Sequence, residues 1–200
     1  MSDSHRAFFD NLAADWDLQY TAEDLERLSR LIDKLDVQPG MCVLDLGCGT
    51  GILFDMLRRK VGNKGLVTGV DISTAMVERA QRNFPFDNVT VVDADACCLP
   101  FQDSTYDMAV SFAAFPHFHE KRQSLSEVDR VLKQGAKYYI IHLASSKELA
   151  DWHHEKGGVV ANDELPSETD LRHMFAESHF EDVQIEDHPG LFLASAVKAK

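Results

Sequence analysis

Residues 43–51 read Val-Leu-Asp-Leu-Gly-Cys-Gly-Thr-Gly, so Gly47, Gly49 and Gly51 stand at alternate positions directly after an apolar run. Glycine has no Cβ and tolerates positive φ, and a loop built this way lets main chain come close to a bound ligand. Asp45 lies two residues before the first of these glycines. A second apolar run, Val67-Thr68-Gly69-Val70-Asp71-Ile72, ends in a carboxylate twenty residues beyond Gly51, near the spacing at which an acid meets a ribose. A carboxylate can accept from both ribose hydroxyls. A dinucleotide loop wants Gly-x-Gly-x-x-Gly, whose third glycine would fall where this chain has Ile52. That position argues against a nicotinamide dehydrogenase and leaves a different nucleotide-like ligand.

Three further segments follow in order. Val89 to Phe101 is a strand-like run and an acidic turn carrying Asp95 and Ala96, closed by Leu99-Pro100-Phe101. Tyr106-Asp107-Met108-Ala109-Val110-Ser111-Phe112 is a fourth apolar strand, and Glu127 to Gly135 reads as a helix running into a turn before a fifth. With the glycine loop and Asp71, these segments span roughly 40–143 and resemble the class I S-adenosylmethionine (AdoMet) methyltransferases, nearest the ubiquinone/menaquinone-biosynthesis group. Phe8-Phe9-Asp10-Asn11-Leu12-Ala13-Ala14-Asp15-Trp16-Asp17 is also similar to that group.

The resemblance implies that the loop packs on the amino-acid part and sugar of AdoMet, that Asp71 accepts from the ribose, and that Asp95 accepts from the adenine amine beside the Ala96 N–H. The cofactor-binding set it implies is Asp45, Gly47, Cys48, Gly49, Gly51, Asp71, Ile72, Met76, Asp95, Ala96, Ser111 and Phe112. The activity implied is AdoMet-dependent methyl transfer to a small-molecule acceptor. The alternative is a non-catalytic AdoMet- or metal-binding module of the same fold.

Five of the nine histidines fall between positions 117 and 154. His117 and His119 follow the fourth strand, His142 ends the fifth, and His153-His154 come shortly after. Imidazole titrates near neutrality and binds transition metals, so His117, His142 and His154 are candidates for an acceptor-site base. His142, His153 and His154 are candidates for a divalent-metal site, with Asp151, Glu155 or Asp163 as a carboxylate partner. Adjacent residues on a helix diverge by about 100°, so at most one of His153 and His154 faces the cleft. Each histidine can equally be a cleft-wall or hydrogen-bonded residue. Trp16, Tyr20 and Trp152 are candidate lid or wall residues.

Positioning these groups requires an alternating α/β chain. Leu25, Leu28, Leu31, Ile32 and Leu35 share one helical face over 22–36, and Pro39-Gly40 ends that segment. Helices are expected at about 51–60, 74–84, 121–133 and 167–178, the last capped by Ser167, with a short one after Ala144. The last strands are expected at Val183–Glu186 and Leu191–Val197 around His188-Pro189-Gly190. The expected fold is a doubly wound, Rossmann-like seven-stranded α/β sheet, mostly parallel, with an antiparallel last strand as the family likeness implies. Ligands then bind beyond the carboxyl ends of the strands. One domain is expected over 1–200: an N-terminal helical cap (1–38), an AdoMet-binding core (40–143), an acceptor-side insertion and helix (144–180) and a final hairpin (181–200).

Composition sets the outer limits. A net charge of −13 and the lack of a basic run argue against a nucleic-acid partner. No apolar stretch is long enough to cross a bilayer and the start does not read as a signal peptide. Cys42, Cys48, Cys97 and Cys98 show neither a disulfide framework nor paired Cys-x-x-Cys signals, which fits reduced thiols in the cytoplasm. The oligomeric state is left open.

Overall fold

The computed structural model describes residues 3–200 of the chain, so the first two residues of the expected cap lie outside it. Its elements are α1 (Asp3–Leu12), α2 (Ala22–Lys34), β1 (Cys42–Leu46), α3 (Phe54–Val61), β2 (Leu66–Asp71), α4 (Thr74–Asn83), β3 (Val89–Asp93), β4 (Tyr106–Phe112), α5 (Lys121–Val131), β5 (Leu132–His142), α6 (Ser146–Lys156), α7 (Glu168–Glu177), β6 (Phe180–His188) and β7 (Leu191–Lys198). The strands form one sheet in the order β3-β2-β1-β4-β5-β7-β6. Only β7 runs antiparallel to its neighbours, β5 and β6. The order reverses between β1 and β4, which places a ligand crevice at their carboxyl ends.

Strand period decides what each side chain meets. Along β4, Ala109 joins the core formed with Leu125, Val128, Leu171 and Phe175 of α5 and α7, whereas Met108, Val110 and Phe112 join the opposite core with Leu28, Ile32, Phe54 and Leu57 of α2 and α3. Helix starts carry their expected chemistry: Thr21 caps α2 and Ser145 caps α6 in capping boxes, and Ser167 caps α7 by accepting the Asp170 N–H.

Two local expectations are corrected. The helix expected from residue 51 begins at Phe54, because Gly51 sits at φ 92°, outside the helical region. The turn expected at Lys133-Gln134-Gly135 is inside β5, which follows α5 directly. Tyr106 pairs with Leu132 and Met108 with Lys137, so β5 bulges between these pairs, around Gly135 at φ 74°. The bulge lets a continuous strand absorb the residues that read as a turn.

Candidate active site

The glycine loop is tied to the strand beside it. Gly47 and Cys48 both donate N–H bonds to the Val70 carbonyl, at 2.8 and 3.0 Å, and Gly49 donates to the Asp71 carboxylate at 2.8 Å. Asp71 also accepts from the Ser73 N–H at 2.9 Å, at the cap of α4. The glycines serve different needs. A Cβ on Gly47 would lie 2.4 Å from the Ala114 Cβ, and one on Gly51 2.7 Å from the Phe54 ring, so these two are required by packing as well as by positive φ. Gly49 instead faces Trp16, whose Nε1 would be 3.2 Å from a Cβ there.

A narrow cavity of about 50 Å³ lies over this loop. Gly47, Cys48, Gly49, Asp71, Ile72, Met76, Ala96 and Phe112 line it, joined by Phe9, Trp16, Tyr20, Phe118 and His117. Asp45, Gly51, Asp95 and Ser111 of the expected set do not. Gly51 packs on Phe54 and Phe84. Asp95 accepts the Cys97 N–H at 2.9 Å, with the flanking Ala94 and Ala96 on the wall instead. Ser111 points to the opposite face of the sheet, where its hydroxyl meets the Tyr138 hydroxyl at 2.8 Å in full burial. Strand alternation explains this last correction, since Phe112 takes the cavity side.

The floor of the cleft is electronegative. Asp45 is buried with neither carboxylate oxygen hydrogen-bonded, and burial together with the nearby Asp71 pushes its pKa up to about 8. Burial also raises Asp71 to about 6, against the hydrogen bonds from Ser73 and Gly49. No lysine or arginine is among the lining residues. Asp71 on the wall, with no cation beside it, favours a positively charged ligand such as AdoMet over a pyrophosphate, while Asp45 behind the wall holds a proton.

The N-terminal segment closes the cleft. Asp10 accepts from the Ser73 hydroxyl at 2.6 Å and the Ala75 N–H at 3.1 Å, Arg6 bonds Thr74 and Asp93, and Thr50 bonds Asp17. Phe9 packs edge-on against Trp16 and His117. Trp16 and Tyr20 are legible in the sequence as wall residues; Phe9, His5 and Asp10 are not, and the partners of His5 and Asp10 lie more than sixty residues away.

A second, larger and more open cavity of about 520 Å³ shares Trp16, Tyr20, Phe112, Ala113 and His117 with the first. His142, Leu149, Trp152 and His153 complete much of its wall. His142 is 2% exposed and neither ring nitrogen has a partner; burial, with His117 and His153 nearby, lowers its pKa to about 3. His153 is likewise buried with Nδ1 unpartnered, and its ring centroid is 5.0 Å from that of His117. His117 bonds Asp163 at 2.7 Å, and His5 bonds the same carboxylate at 3.0 Å. His154 is exposed on α6, as the helical angle between neighbours requires once His153 turns inward.

The expected groupings change accordingly. The structure brings together His117, His142 and His153, with His154 outside. The ring nitrogens of His142, His153 and His154 form no converging ligand set; among the described residues the set whose ligand atoms approach within 4.8 Å is Asp95, Cys97 and His119, at the partly exposed rim. A metal among the acceptor-side histidines therefore lacks a preformed cage.

The chain is similar to known proteins in sequence and fold. A family model described as a methyltransferase domain matches residues 43–135. The chain is 35% identical over 149 residues to the 2-phytyl-1,4-naphthoquinone methyltransferase of Nostoc sp., covering 70% of this chain and 65% of the relative's length. It is 29% identical over 195 residues to the ubiquinone/menaquinone biosynthesis C-methyltransferase UbiE of Legionella pneumophila, covering 84% of this chain and 78% of that one. Among solved structures, an Aquifex aeolicus SAM-dependent methyltransferase superposes with a TM-score of 0.69 at 22% identity, over 97% of this chain and 98% of its own. A Haloferax volcanii protein solved with the Trm112 methyltransferase activator reaches 0.80 at 22% identity, over 96% and 98%. Sheet order, glycine loop, strand-end acids and these likenesses agree in supporting a class I AdoMet-dependent methyltransferase, with the chain spanning 65% of the Nostoc relative's length.

Proposed function

We propose that the chain transfers a methyl group from AdoMet to a small, flat organic acceptor seated in the second cavity. The observation that carries this reading is the shared wall: Trp16, Tyr20, Phe112, Ala113 and His117 border both cavities, so the cleft over the glycine loop opens directly onto the larger one. Gly47, Cys48, Gly49, Asp71, Ile72, Met76 and Ala96 would hold AdoMet, with Asp45 and Asp95 behind the lining. AdoMet supplies a methyl group already activated by its sulfonium, so no acid is needed for the leaving sulfur. The protein's work is to align acceptor and methyl and to exclude water. Apolar and aromatic groups at the junction, closed by α1 and the Trp16–Gln19 turn, serve both.

The names of the relatives, naphthoquinone and ubiquinone/menaquinone methyltransferases, support a quinone-related ring, and the aromatic walls Trp16, Tyr20 and Trp152 suit its faces. The acidic charge supports a reading without nucleic acid. No described helix is long and apolar enough to cross a membrane; a cytoplasmic location and a single domain with an N-terminal cap complete the proposal. Titration calorimetry with AdoMet, followed by chromatography of the demethylated product with 1,4-naphthohydroquinone and other small acceptors, tests it. AdoMet binding and product formation are expected. Binding without turnover on any acceptor would favour a non-catalytic module.

A further inference from the structure

We propose, resting on the methyl-transfer reading above, that His117 is the general base of the reaction and Asp163 its positioning residue, and that the acceptor is a hydroxylated flat ring taken up with its proton on. His117 ends the short turn Phe115–His117, fixed by Pro116 and by the Phe9 ring against it, and its side chain faces both cavities. Its Nδ1 is 2.7 Å from the Asp163 Oδ2, and the two side chains are 8% and 14% exposed. A carboxylate at Nδ1 fixes the Nδ1–H tautomer and leaves the Nε2 lone pair for the acceptor. Asp163 comes from the loop between α6 and α7, and the same carboxylate holds His5 of α1, so the base is aligned by the element that closes the cleft.

The charged and titratable groups around His117 are His5 from α1, Lys121 from α5, His142 from β5, His153 from α6 and Asp163. Burial lowers the His117 pKa, with Asp163 opposing it, so the imidazole is neutral and able to accept near neutral pH. His142, on the wall of the second cavity, bears on which polar group the acceptor carries. Both its ring nitrogens are buried without partners, and a neutral imidazole needs one donor and one acceptor opposite it. A hydroxyl can meet either one, accepting from the ring N–H or donating to the bare nitrogen.

In the step this arrangement supports, the acceptor O–H bond breaks and its proton goes to His117 Nε2. The electron pair left on oxygen spreads into the ring, and oxygen or a conjugated carbon uses it to bond the methyl carbon; where carbon bonds the methyl, its C–H proton is then lost to solvent and the oxygen takes one up, which restores the aromatic ring. The C–S bond breaks with its pair going to sulfur, which leaves as a neutral thioether, and His117 passes its proton to solvent before the next turnover.

The test uses the full-length wild type, His117→Ala, Asp163→Asn and the exposed-site control His173→Ala, with AdoMet and a panel of 1,4-naphthohydroquinone and phenols of graded acidity. His117→Ala should lose turnover by about 10²–10⁴-fold, with AdoMet affinity by calorimetry as in wild type and a smaller defect on phenols already ionised. Asp163→Asn should lower kcat more than it raises KM and move the acid limb of the pH profile to lower pH, because the carboxylate that raises the His117 pKa is gone. Long-range proton–nitrogen NMR should show His117 as the Nδ1–H tautomer in wild type and changed in Asp163→Asn. Turnover of His117→Ala equal to wild type, or an Nε2–H tautomer in wild type, overturns the proposal. AdoMet-dependent methylation of amines or thiols with none of any hydroxyl probe overturns it while sparing the methyl-transfer reading; failure to bind AdoMet removes that reading itself.

Discussion

The Asp71 carboxylate accepts the Gly49 N–H at 2.8 Å, joining the end of β2 to the middle of the glycine loop. One acid thus shapes the loop and, with its remaining lone pairs, can meet a ribose. Asp71→Ala should weaken AdoMet binding about 10–100-fold, the equivalent of a charged hydrogen bond. Calorimetry on variants with native circular dichroism decides it, and unchanged affinity would remove Asp71 from the site.

Gly47 and Gly40 both have positive φ, 71° and 89°, but only Gly47 lies against a neighbour. Gly47→Ala adds overpacking against Ala114 to backbone strain, for a loss of about 2–5 kcal/mol. Gly40→Ala meets nothing within 4 Å and should cost only the strain, about 1–2 kcal/mol. Urea unfolding of both variants is the measurement; equal losses would contradict the close approach at Gly47.

Asp45 has its folded pKa raised to about 8 from 3.8. The native state therefore holds a proton that the unfolded chain releases, and this contribution to stability falls as pH rises from about 4 to 8. Asp45→Asn should raise Tm relative to wild type by more at pH 8 than at pH 5. Thermal melts without AdoMet check this, and a gain independent of pH would show that Asp45 finds a countercharge in the empty cleft.

His142 carries the opposite sign. Its folded pKa of about 3 lies below 6.5, so the unfolded chain takes a proton that the native state refuses. The stability is fully present above pH 6.5 and is lost progressively as pH falls toward 3. His142→Phe should flatten the acid side of the Tm-against-pH curve. A curve of wild-type steepness would place the titration elsewhere.

Asp10 fastens α1 to the start of α4 through Ser73 and Ala75. Asp10→Ala should speed hydrogen exchange across α1 and raise the AdoMet dissociation rate, while exchange in β1 and β4 stays protected. Uniform protection of α1 in the variant would show that Phe9 and its neighbours alone hold the cap.

Much of this protein was legible in its residues because short-range rules determine it. The Gly47-x-Gly49-x-Gly51 loop between an apolar run and a helix, the acid at Asp71 and the cap at Ser167 depend on backbone conformation and local hydrogen bonding. The helical angle correctly limited the cleft to one of His153 and His154. Only the tertiary structure decided which remote groups meet. Asp163 reaches His117 across 46 residues and His5 across 158, distances over which sequence spacing carries no geometric information. Ser111 was misplaced for a related reason: strand period fixes that neighbours alternate, but which face is the cleft depends on the helices packed against each side. The candidate metal set is of the same kind, since convergence of ring nitrogens is a property of side-chain packing among β5, α6 and the loop after β4.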